Sequence, residues 1–183
     1  NSAGKVTDIH YRICEFSEKE HFNRSVLNMF SSDKNPKFFT QRCKNVIDNN
    51  PDSEIAFIQF DIERFKMINE IYGVQTGDEI LAFFNDSLAL ICSENQPFCR
   101  LTADVFMIVT PFKERSELTD FVHKIESMLC GFKGIEYRLV FGICIVQDRT
   151  AHTRRHGDCA SIARQSIKGN ALNNIAFFES DMK

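Results

Sequence analysis

The chain has no tryptophan, no C-x-x-C pair and no excess of positive charge. The last two absences each remove a class of protein. With a formal charge of −3 and a pI near 6.0, it lacks the basic balance of a broad nucleic-acid-binding surface. Its seven cysteines (Cys14, Cys43, Cys92, Cys99, Cys130, Cys144 and Cys159) are odd in number and lack metal-ligand spacing, which argues against a disulfide framework or a zinc site. Most lie among apolar residues, where free cysteine acts as a small hydrophobe, and the expected compartment is reducing and cytoplasmic. No apolar run approaches the roughly 20 residues of a bilayer-spanning helix, and the polar N-terminus does not read as a signal peptide. There is no internal repeat and no low-complexity tract.

What the chain does have is 18 phenylalanines among 183 residues, so the core should be Phe-rich. Residues 1–35 read as a helical appendage and linker, with a helix from Glu18 to Phe30 and a polar break at 31–36. Residues 36–183 read as one domain. A helix is expected from Pro36 to Asp48, with Phe39, Cys43, Val46 and Ile47 on one side. The segment from Ile55 to Phe60 is apolar on both faces, as in a central strand covered on both sides. A short helix with Phe65, Ile68 and Ile71 follows, then a longer one from Thr76 to Cys92. Phe98 to Ala103 and Val105 to Thr110 should form a hairpin. Ser116 should cap a helix carrying Leu118, Phe121, Val122, Ile125, Met128 and Leu129. Ile135 to Val146 should be the longest strand, Asp158 to Lys168 the last helix and Ile175 to Phe178 the last strand. The β-α-α-β-β-α-β run suits an α+β sheet with helices packed on it.

The chemistry gathers after the central strand, which ends in Asp61. Lys66, Asn69, Gly73, Gly77 and Asp78 follow. An acid at a strand end suits Mg²⁺, a lysine suits phosphate, and Asn and Asp side chains suit the edge of a base. Each also has an ordinary reading: Thr76 and Glu79 make a capping box, Asp78 suits a first helical turn, and Lys66 suits solvent. Arg154, Arg155 and His156 form a small basic cluster that reads as a solvated loop.

Taken together the string resembles the GGDEF (diguanylate cyclase-like) family. Its first signature matches at Asp61, Phe65-Lys66, Asn69-Glu70, Gly73-Val74 and Gly77-Asp78. The second, Arg-Tyr-Gly-Gly-Asp-Glu-Phe on a hairpin, falls on Arg100-Leu101-Thr102-Ala103-Asp104-Val105-Phe106. The third, Ala-Asp-x-Ala-Leu-Tyr-x-Ala-Lys-x-x-Gly-Arg-Asn, matches at Ala160, Ala163, Lys168 and Asn173. The resemblance spans roughly Pro36 to Phe178. It implies a central, mostly antiparallel sheet flanked by helices, and two GTP molecules joined into cyclic di-GMP by two subunits face to face. Carried over, Asp61, the Ile62 carbonyl and Asp104 hold metal, Asn69 and Asp78 read guanine, and Lys66 and Lys168 contact phosphate.

The departures bear on activity. Val105 replaces the acid at the fourth motif position and can neither bind metal nor take a proton. Thr102-Ala103 replaces two glycines, and a β-branched residue resists positive φ, so the hairpin tip should be reshaped. Leu172 stands at an arginine position and Val74 at a histidine position. Ser93-Glu94-Asn95-Gln96 replaces the inhibitory product site. The resulting expectation is a degenerate, regulatory GGDEF domain that keeps Mg²⁺-dependent GTP binding and neighbours a domain such as an EAL phosphodiesterase. Two alternatives stay open. One is a nucleotide-free module that dimerises; the other is a residual cyclase in which Glu63 supplies the missing acid.

Overall fold

The computed structural model describes residues 36–180 and 182; the expected helix from Glu18 to Phe30 lies outside them. Helix α1 (Pro36–Asn49) comes first and buries Phe39, Cys43, Val46 and Ile47. Strand β1 (Glu54–Ile62) is buried at every residue but the first. Helices α2 (Phe65–Tyr72) and α3 (Val74–Ile91) follow, separated only by Gly73 at φ 89°, a left-handed angle that glycine adopts without cost. The hairpin is β2 (Phe98–Thr102) and β3 (Val105–Phe112). Helix α4 (Arg115–Leu129) leads into a small hairpin of β4 (Gly131–Phe132) and β5 (Ile135–Glu136). Strand β6 (Leu139–Ile145), helix α5 (Thr153–Ser166) and strand β7 (Ile175–Phe177) complete the order.

The main sheet runs β2-β3-β1-β6-β7, so β1 is its middle strand. Every pairing is antiparallel except β6 with β7. This is the mostly antiparallel α+β architecture that the sequence implies. Alternation along β1 divides its side chains between two cores. Ala56, Ile58, Phe60 and Ile62 meet α3 and α4 on one face. Ile55 and Phe57 meet α1 and α5 on the other. Gln59 and Asp61 share the parity of Phe57 and are buried on that second face.

Several boundaries differ from the sequence reading. Helix α3 begins at Val74, so Thr76 is not its cap. The Thr76 hydroxyl instead donates to the Tyr72 carbonyl at 2.7 Å, and Glu79 reaches Lys133 at 2.8 Å. Asp78 therefore lies beyond the first turn. Ser116 lies inside α4, whose N-cap position is Glu114. The expected long strand from Ile135 to Val146 is two strands. The positive φ of Lys133 and Gly134 (48° and 81°) turns the chain into the β4–β5 hairpin, and β6 starts afresh at Leu139. The longest strand is β1. Helix α5 starts at Thr153, so Arg154, Arg155 and His156 form its first turn and not a solvated loop. The His152 ring accepts from the Arg154 N–H at 3.2 Å as the cap.

Candidate functional site

The site is built around the end of β1. Ile62 follows Asp61, and its backbone N–H lies near enough to the carboxylate of Asp104, at the β2–β3 turn, to favour the charged form. The structure thus puts the two acids side by side. Burial raises the Asp104 pKa above its ordinary value, and the neighbouring Asp61 charge adds to the rise; the Ile62 N–H and Lys168 oppose it. The hairpin tip stays a two-residue turn, with a register shift between Arg100 and Thr102. The left-handed conformation falls on Ala103 (φ 40°) and leaves Thr102 in the strand. The Arg100 guanidinium donates to the Ala103 carbonyl and braces the turn.

The feature that sequence reasoning missed is Arg164. Its guanidinium is buried on α5, ion-paired with the Asp61 Oδ2, and its Nε donates to the Gln59 Oε1 at 3.0 Å. Lys168, just past the end of α5, pairs with the same Asp61 oxygen. The helix gets this close because β6 has Gly142 opposite Gln59. A Cβ there would stand 2.1 Å from the Ala160 carbonyl oxygen and 2.2 Å from the Arg164 nitrogen. In the ungapped match to the third signature, Arg164 falls on the motif's leucine. A charged residue one helical turn from Ala160 and next to Ala163, both fully buried, was the signal available. The loop carrying Lys168 is fastened by Glu63, which pairs with Arg138 at 3.2 Å and accepts from the Gly169 N–H at 3.1 Å. Glu63, the acid considered above as a replacement for the one lost at Val105, is thereby engaged with Arg138 and the Gly169 N–H.

Asn69 and Asp78 form a second cluster. A Cβ on Gly77 would meet the Asn69 Oδ1 at 1.9 Å, so the Asn69 amide lies against Gly77, beside Asp78. The Asn69 Oδ1 is buried with no hydrogen-bond partner in the protein, while Asp78 is exposed. Lys66 is 90% exposed and pairs with Glu70 at 3.6 Å. Leu172 is 92% exposed. A cavity of about 450 Å³ opens on the Gln59 face between α1 and the start of α5, lined by Phe39, Cys43, Phe57, Met107 and Arg154 among others; Asp61, Asn69 and Asp78 are not in its lining.

A divalent ion, expected from the resemblance, does not fit this arrangement. Oδ2 of Asp61 already takes two cations, leaving only the buried Oδ1 without a partner. Asp61 and Asp104 are matched in charge by Arg164 and Lys168. Mg²⁺ wants several hard oxygen ligands and gains little from carboxylates already compensated. Among the described residues no cluster of three or more His, Cys, Asp or Glu side chains is placed to hold a metal.

Fold and site together define an α+β domain with a carboxylate pair between the end of its middle strand and a hairpin tip. The family model for "Diguanylate cyclase, GGDEF domain" matches residues 34–174, and the chain belongs to that family. The GGDEF domain of YfiN (TpbB) from Pseudomonas aeruginosa superposes with a TM-score of 0.69 at 19% identity, over 79% of this chain and 95% of that one. The active GGEEF domain of a diguanylate cyclase from Vibrio cholerae gives 0.68 at 17%, over 79% and 96%. The GGDEF domain of DgcB from Caulobacter crescentus, solved with c-di-GMP, gives 0.65 at 16%, over 79% and 85%. The protein y4lL of Sinorhizobium fredii (strain NBRC 101917 / NGR234) is 29% identical over 76 residues, 41% of this chain; that stretch spans 9% of y4lL. No helix among the described residues is long and apolar enough to cross a membrane.

Proposed function

We propose that this GGDEF domain is regulatory: it binds a guanine nucleotide, does not cyclise it, and passes its state to a neighbouring domain such as an EAL phosphodiesterase in the cytoplasm. The observation that carries the loss of cyclisation is the buried Arg164 on Asp61, with Val105 at the position of the fourth motif acid. A carboxylate held by an internal guanidinium and an ammonium is not free to organise phosphoryl transfer. Guanine binding rests on Asn69 and Asp78. A carboxylate accepts from guanine N1–H and the 2-amino group, and adenine lacks that paired donor set. The buried Asn69 Oδ1 has no partner in the protein, and a buried acceptor left unpaired costs about 1–3 kcal/mol, so a ligand that donates to it is favoured and GTP should be preferred over ATP by about tenfold.

Two measurements test this reading. Incubation with GTP and Mg²⁺ or Mn²⁺ should yield no cyclic di-GMP by chromatography; sustained turnover abolished by Asp104→Ala would refute it. Calorimetry should show GTP binding that Gly77→Ala weakens about tenfold without loss of stability. The added methyl meets side-chain atoms and no backbone, the Asn69 amide at 1.9 Å and the edge of the Phe65 ring at 3.1 Å, and alanine is the better helix former by about 1 kcal/mol.

The second reading, an interaction module that holds no nucleotide, draws on one observation. Met67, Ile71, Tyr72 and Val74 are all exposed around the α2–α3 corner. Absence of GTP binding at millimolar nucleotide would put this reading first.

A further inference from the structure

We infer that Arg164 and Lys168 take the place of a divalent ion in this domain, so that a nucleoside triphosphate engages it as the metal-free polyphosphate. The inference deepens the guanine-nucleotide reading and rests on it only for the ligand. The replacement of the metal stands on the geometry alone.

Four observations converge. First, the ion pair is internal: the side chains of Asp61 and Arg164 are 2% and 7% exposed. A buried carboxylate must be charge-compensated, and here the compensation is part of the chain. Second, the guanidinium is held at two points, with Asp61 and Gln59 accepting from different nitrogens. A planar, permanently charged group fixed in this way is a substitute cation, not a passing contact. Third, Gly142 admits the α5 backbone to van der Waals range of β6 and sets Arg164 above the strand. Fourth, Lys168 shares the Asp61 oxygen yet is 47% exposed on its side chain. It can leave Asp61 for a phosphate without uncovering an uncompensated carboxylate, because Arg164 stays. A lysine is a point-charge partner suited to that exchange.

An incoming polyphosphate therefore finds an ammonium available at the surface and a neutralised acid beneath it. A divalent ion finds its carboxylate taken. Since Lys168 binds phosphate directly, chelating Mg²⁺ should leave nucleotide affinity unchanged within about twofold.

Mn²⁺ alone is the direct probe. Electron paramagnetic resonance of the wild-type domain should detect no bound Mn²⁺ up to millimolar metal. Arg164→Leu should create a site at least tenfold tighter. If that variant fails to fold, Arg164→Gln removes the charge while keeping an amide to donate to Asp61, and should do the same. Mn²⁺ binding by the wild-type domain at the Asp61 carboxylate overturns the inference. So does a folded Arg164 variant that gains no site, because Arg164 would then not be what excludes the metal. Calorimetry with GTP in excess EDTA, against GTP with Mg²⁺, provides the second arm. Equal affinities support the inference, and binding lost in EDTA overturns it. Failure to bind GTP in either buffer defeats the nucleotide reading of the domain, while the Mn²⁺ arm still decides the replacement of the metal.

Discussion

A single histidine shows how burial becomes a pH response. His156 packs against Phe57 in a tilted arrangement with ring centroids 5.3 Å apart, and its Nε2 is buried without a partner. Burial foremost, and then the charge of Arg155, lowers its pKa below the ordinary 6.5; the Asp148 carbonyl and carboxylate oppose this. The unfolded chain therefore takes up a proton at a pH where the folded chain does not. Stability from this group is present above 6.5 and falls as the pH drops from there through the depressed value. Urea unfolding at pH 7.5 and pH 5 should show a smaller acid loss for His156→Phe than for the wild-type protein. Neither His156 nor Arg164 was legible in the sequence as a buried group. Arg154 and Arg155 make the neighbourhood of His156 look solvated, and nothing local says which helical face meets the sheet. Asp61, Asn69, Asp78 and Asp104 were legible as candidates because the strings they stand in resemble the GGDEF signatures; taken singly, each also had an ordinary reading.

Helix α5 depends on a residue with no side chain. At Gly142 an added methyl would meet backbone atoms of the helix, which cannot yield as a side-chain end can. Gly142→Ala should therefore destabilise the domain by about 3 kcal/mol, the upper range for overpacking, read as a lower urea midpoint with an unchanged slope. Elements with strong periodicity were legible: α1 ends at Asn49 against an expected Asp48, and the hairpin starts at Phe98 and Val105 as read. Boundaries set by unusual backbone were not. Helix α3 starts after Gly73 with no side-chain cap. The β5–β6 break falls where Glu63 holds Arg138, a contact between residues far apart in sequence.

Across the whole molecule the phenylalanines behave as composition suggests. Phe60, at the middle of the sheet, has Phe141, Phe106 and Phe84 at ring-centroid distances of 5.2, 5.6 and 6.3 Å. One side chain thus joins β1, β6, β3 and α3. Phe60→Ala should cost about 3–5 kcal/mol, a large share of a typical total of 5–15 kcal/mol, and calorimetric melting should show whether a cooperative transition survives. The order of strands has a different consequence. A five-stranded sheet has two open edges, and an open edge can recruit another chain into a growing fibril. Here one edge is β7, only three residues long. The other is β2, whose pairing slips between Arg100 and Thr102. A short edge and an irregular one both make poor templates, so the same topology that centres Asp61 also protects the domain from strand-to-strand aggregation.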